Sequence, residues 1–134
     1  MTSRHQAVPR SVLYTIKGRT QVKKNGKQLL IRRGRPAMVS KAAYLAWERS
    51  AVEQLRWQFS RKQQHQITTP IRAHFVVYLG ARQRPDSDNI ASGPFDALEK
   101  SGILKNDYLI DDFRVQRKRD NANPRVEIYL GWSE

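Results

Sequence analysis

Cysteine is absent from this 134-residue chain. That excludes disulfides, thiolate nucleophiles and cysteine-type zinc sites, and it suits a reducing compartment. Long apolar runs are missing too. No stretch approaches the roughly 18 residues of a membrane span, and the opening MTSRHQAVPRS lacks the apolar core of a secretory leader. No membrane partner is expected. There is no G-x-x-x-x-G-K-[ST] phosphate loop, no dinucleotide-binding glycine pattern and no G-x-S-x-G elbow. His5, His65 and His74 stand too far apart in sequence to share metal-ligand spacing. Acid is scarce: 12 Asp and Glu face 25 Lys and Arg, a formal net charge of +13.

That charge says nothing about fold, but it points to a polyanionic partner, nucleic acid foremost. The length suits a single compact domain over residues 1–134. At 39% apolar residues the chain has enough to bury a core. The charge is unevenly spread. Residues 1–47 hold 11 Lys and Arg and no acid. Seven of the 12 acids then fall between Asp86 and Asp112. Carboxylates so crowded repel phosphate and each other unless they point to different faces or share a cation.

A strand is predicted over Ser11–Lys17. A basic hairpin is predicted from Gln21 to Arg33 around Asn25-Gly26, a pair suited to positive φ. Together they make residues 1–35 a basic N-terminal region. Ser40 is read as the cap of a helix over Lys41–Lys62, whose Tyr44, Trp47, Ala51, Leu55 and Phe59 form one apolar stripe. Ile71–Leu79 alternates as a strand. A second helix should end near Lys100, with Gly102 just beyond it. Phe113–Arg119 and Arg125–Leu130 read as a closing hairpin. The order implies an α+β fold: a mostly antiparallel sheet with two main helices.

The chemistry sits in Asp86-Ser87-Asp88-Asn89, between the alternating strand and the second helix. Two carboxylates two residues apart on extended backbone face the same side and can converge on one hard cation. Asp and Asn before a helix are also ordinary caps. Asp107, beyond the helix, becomes a third carboxylate if the strand–helix–strand path returns the start of the last hairpin to the end of the first strand.

The segment R-P-D-S-D-N-I…F-D-A-L-E-K-S-G-I-L-K-N-D-Y-L-I-D-D-F-R-V…N-P-R-V-E-I, over residues 71–130, resembles the RusA-type Holliday junction resolvases, nucleases often carried by phages and prophages. The resemblance implies an α+β homodimer that uses Mg²⁺ (with Mn²⁺ as a substitute) to nick four-way DNA junctions in symmetric pairs, in DNA recombination and repair. It implies work in the cytoplasm of a bacterial or phage-infected cell. It assigns metal binding and catalysis to Asp86, Asp88 and Asp107, and DNA contact to Arg82 and Arg84. Lys105, Arg117, Lys118 and Arg119 are further candidate DNA contacts by charge. Two positions depart from the pattern. Asn106 replaces the first of an Asp-Asp pair, and Ser92 stands where the family carries a catalytic lysine. Lys100, Lys105 and Arg84 are the candidates to replace that cation in space. Pro94 is expected to bend or restart the helix. The alternatives are a protein that binds branched DNA and cuts it poorly, and a metal nuclease for flaps, forks or RNA.

Overall fold

The computed structural model describes residues 8–21, 38–83 and 90–133, with 38–41 described as backbone only. Four strands and two helices follow one another: β1 (Pro9–Lys17), α1 (Met38–Arg61), β2 (Ile71–Leu79), α2 (Ser92–Lys100), β3 (Ile110–Arg119) and β4 (Arg125–Ser133). The strands form one sheet in the order β1-β4-β2-β3. β4 runs antiparallel to β1 and to β2, while β3 runs parallel to β2. The α+β expectation holds. The expected basic hairpin at 21–33 lies outside the described residues, apart from Gln21.

One sheet face carries the core. Tyr14 and Ile16 of β1 stand opposite Ile128 and Val126 of β4, which stand opposite Phe75 and Val77 of β2. All six are fully buried. Tyr44, Trp47, Ala51 and Leu55 of α1, with Ala97 and Leu98 of α2, join the same cluster, so both helices cover this face. The stripe predicted for α1 is therefore core. The helix begins at Met38, which puts Ser40 inside it rather than at its cap.

The closing hairpin does not form. β3 and β4 follow each other in sequence, but β2 lies between them. The reason is in the side chains. β2 buries Ile71, Ala73, Phe75, Val77 and Leu79 on the helix side and Val76 on the other. A strand that buries one whole face and part of the other belongs in the sheet interior. β3 carries Arg114, Arg117, Lys118 and Arg119 and is exposed along nearly its whole length, which suits an edge. Asp120 closes the split: its N–H donates to Leu79 O at 2.9 Å, and its carboxylate accepts from the N–H groups of Ala122 and Asn123.

Pro94 neither bends nor restarts α2. The helix opens at Ser92, so Pro94 falls in its first turn, where its missing N–H has no partner to lose. Gly93 fits because an added Cβ would come within 2.8 Å of the Trp47 ring. Gly102, at φ +82°, ends the helix as predicted.

Candidate active site

The first part of the site is the turn that leaves β2. Gly80–Gln83 is held from three directions. Arg119, at the end of β3, donates one Nη to Gly80 O and the other to Gln83 O at 3.0 Å. Arg19, just past β1, donates to Ala81 O at 3.1 Å. The Gln83 side chain accepts from Gly80 N at 2.9 Å and donates to Thr20 O at 2.6 Å. Within this brace Arg82 sits at φ +61°, a left-handed conformation that costs a branched-free residue about 1 kcal/mol. Arg117, Lys118 and Arg119 line a cleft of about 470 Å³ beside Leu79 and Gln83. Lys118 also lies over the Tyr78 ring. The chain then enters Arg84-Pro85-Asp86-Ser87-Asp88. Asp86, Asp88 and Arg84 lie outside the described residues.

Asp107 lies elsewhere on the sheet. The parallel register sets Ile110 beside Ile71, the first residue of β2, and Arg119 beside Leu79, the last. The path therefore returns the chain to the start of β2, not to its end as the sequence suggested. Nine strand residues separate the two ends by roughly 26 Å, and α2 makes the return: Gly93 in its first turn lies near Gln21, close to the 80–83 turn, and the residues just past its end pair with Ile67. Asp107 opens a single 3₁₀ turn, anchored by buried Leu109. Bonds between Ile67 and the segment 103–105, and from Gln66 to Gly102 O, fix the approach to that turn. Lys105 is exposed there, two residues from Asp107.

Around Asp107 the acids crowd. Its charge is the main reason that the Glu99 carboxyl is held above its ordinary range, followed by partial desolvation, a hydrogen bond with Asp107 and the charge of Asp96. One turn away a second network joins the helices. Lys100 Nζ meets the Glu48 carboxylate at 2.6 Å, and Tyr44 Oη donates to Glu48 at 3.0 Å and reaches Asp96 at 3.4 Å. Glu48 is buried and Lys100 largely exposed. The Glu48 hydrogen bond raises Lys100 above its usual value. Burial first, then Glu48, pushes the Tyr44 hydroxyl far up. Lys100, a candidate for the missing lysine, is thus engaged with α1. Ser92 is the first residue of α2.

Sequence reasoning did not single out Glu99, Gln83, Arg19 or the Glu48 network. Glu48 left a trace: an acid beside Trp47 on the apolar stripe must find a cation once buried. Glu99 belonged to the acidic run between Asp86 and Asp112, but nothing in its spacing singled out Asp107, eight residues on, as its neighbour.

The donor chemistry around Asp107 fits a hard divalent ion. Glu99 and Asp107 are both exposed and oppose each other's charge, and both offer the oxygen donors that Mg²⁺ takes. Among the described residues, no three Asp, Glu or His side chains gather into a metal-holding group. No described helix is long and apolar enough to cross a membrane.

Comparison with known proteins follows this geometry. A family model described as endodeoxyribonuclease RusA matches residues 14–130. A crossover junction endodeoxyribonuclease RusA of Aquifex aeolicus is 32% identical over 84 residues, 63% of this chain and 64% of that protein. The proteins of that name from Escherichia coli K12 and Enterobacteria phage 82 are each 28% identical over 64 residues, 48% of this chain and 53% of theirs. The chain thus aligns with about half to two thirds of the length of these relatives. The family match takes in the split sheet, both helices, the acid-bearing segment and Asp107 together, far more than a local motif, and the chain belongs to the RusA endodeoxyribonuclease family.

Proposed function

We propose that this protein is a Mg²⁺-dependent endodeoxyribonuclease that resolves four-way DNA junctions by paired, symmetric nicks, acting as a homodimer in the cytoplasm of a bacterial or phage-infected cell. The observation that carries it is the family match across 14–130 joined to an acidic pair, Glu99 and Asp107, at the family's third aspartate. Asp107 would hold an ion at the start of β3, and Asp86 and Asp88, carried after the end of β2, are the other ligands that the family resemblance implies. When bound, the ion polarises the phosphodiester and lowers the pKa of attacking water.

The rest of the chemistry falls to the chain's own groups. Unlike carboxylates, Arg82, Lys105, Arg117 and Lys118 attract the DNA backbone, and each phosphate they neutralise releases counterions. Binding therefore weakens steeply with salt. A two-fold pair of subunits matches a substrate whose two scissile strands are themselves related by a two-fold axis.

A second reading has an observation of its own. Ser92 replaces the family lysine and Lys100 is bonded to Glu48, which favours a protein that grips junctions and cuts them slowly. One experiment separates the two. A synthetic four-way junction is incubated with the protein, with and without Mg²⁺. Paired nicks that need Mg²⁺ and vanish in Asp88→Asn, with junction binding intact, support the enzyme. A bound but uncut junction supports the second reading. Preferred cutting of flaps, forks or RNA overturns the junction assignment.

A further inference from the structure

Arg119 reads in the sequence as one of three consecutive cations waiting for phosphate. Its surroundings say otherwise. Both terminal nitrogens donate to main-chain carbonyls, of Gly80 and of Gln83, across the end of β2. A guanidinium is a planar fork, suited to bridging two fixed acceptors in a way that a lysine ammonium is not. The two bonds use one N–H on each terminal nitrogen and fix the plane of the fork against the turn.

The turn it holds is unusually well determined for a surface loop. Arg19 and Thr20 fix it from β1, Gln83 closes it on itself, and Asp120 ties Leu79 beside it. The Arg19 side chain packs 3.4 Å from where a Cβ on Gly80 would stand. A non-glycine residue, Arg82, is kept at positive φ inside it. Strain of that kind persists only where the surroundings impose the conformation, and it gathers at working sites. In sequence, the segment after this turn is the one bearing Asp86 and Asp88.

We propose that Arg119 is a positioning residue: by clamping the Gly80 and Gln83 carbonyls it holds rigid the turn that, in sequence, precedes Asp86 and Asp88, and it contributes to cutting rather than to DNA affinity. This role rests on the nuclease function proposed above. Metal-assisted hydrolysis loses rate when its ligands are misplaced by as little as 1 Å, whereas phosphate attraction does not depend on such accuracy.

The test compares Arg119→Lys, Arg119→Gln and Gln83→Ala, the last loosening the same turn from within, with Arg117→Gln as a surface-charge control. Three quantities are measured: single-turnover cutting of a four-way junction at saturating protein over a Mg²⁺ series, junction affinity in Ca²⁺ over a salt series, and amide exchange at residues 80–83. For the Arg119 and Gln83 variants we expect junction affinity within about 2-fold of the parent and an unchanged salt slope. Cutting at saturation falls at least about 10-fold, the Mg²⁺ requirement rises, and the Gly80 and Gln83 amides exchange faster. Arg119→Lys does not rescue. If Arg119→Gln instead lowers affinity and reduces the salt slope by about one, with cutting at saturation unchanged, Arg119 is a phosphate contact and the proposal falls. Should the parent protein cut no junction, the nuclease function fails, and the salt slope and amide exchange still decide what Arg119 does.

Discussion

The two ends of the strand–helix–strand unit are finished in opposite ways. Where β2 ends, Arg119 and Arg19 satisfy main-chain carbonyls of a tight turn, Gln83 accepts from its Gly80 N–H, and the cations spend their hydrogen bonds on the protein itself. Where β3 begins, Glu99 and Asp107 face each other with like charge. One end is complete as folded. The other is electrostatically unfinished and invites a cation. A braced turn and an exposed pair of opposed acids thus stand at separate ends of one sheet.

The largest expected effect comes from Asp107→Asn. Removing the family's third carboxylate should lower junction cutting by at least about 100-fold, with binding retained. The comparison adds a second sign. Losing one of two facing charges should raise the melting temperature in EDTA and abolish the stabilisation that Mg²⁺ gives the parent. A variant that melts lower in EDTA and still responds to Mg²⁺ would show that the two acids are not opposed.

Next in size is the Glu48–Lys100 pair, the point where the unfinished end is bolted to α1. The two halves are unequally buried, so the truncations should be unequal. Lys100→Met removes the cation from a buried carboxylate that keeps its bond from Tyr44, and should cost about 2–3 kcal/mol in denaturant unfolding. Glu48→Gln leaves an exposed ammonium that water can solvate and should cost about 1 kcal/mol. Equal costs would mean that Glu48 is better hydrated than its burial implies.

Much of this was legible in the chain. The stripe on α1, the alternation of Ile71–Leu79 and the glycine after α2 depend on local pattern, and the folded structure keeps them. The strand order was not legible. Nothing in 113–130 taken alone says that β2 will divide the hairpin. That follows from Val76, whose burial on the helix-free face makes β2 a central strand. The same non-local fact sends Asp107 to the start of β2. Aspartate spacing and family resemblance pointed to Asp107, but only the fold shows Glu99 beside it. Arg119 taught the reverse lesson: a charge run looks like a solvated or DNA-facing patch until the acceptors of each cation are known.

At the finished end the effects are smaller. Arg19→Ala removes one bond to Ala81 O from an exposed side chain and should cost about 0.5–1 kcal/mol. Its more telling consequence is faster amide exchange at residues 80–83 with no change near Asp107. Exchange that quickened at both ends would mean that the braced turn and the acid pair form one cooperative unit, and the contrast between them would be lost.

The smallest effect tests the unfinished end by its sign alone. The Glu99 carboxyl titrates above its ordinary range because Asp107 opposes its charge. The folded state therefore binds that proton more tightly than the unfolded chain does. Below the ordinary Glu pKa, near 4.3, both states are protonated and the fold carries no penalty. As the pH climbs from there through the raised value, the fold gains a charge it disfavours, and stability is lost. The lowered carboxyls of Asp120 and Glu127 act the other way, so the loss is read as a difference: across that window the melting temperature of the parent in EDTA should fall relative to that of Glu99→Gln. Saturating Mg²⁺ should reverse it in the parent, because a cation between Glu99 and Asp107 favours the ionised carboxylate that repulsion penalises. Parent and Glu99→Gln curves that run parallel in EDTA would place the two carboxylates too far apart to sense each other, and the end that begins β3 would be as complete as the end that finishes β2.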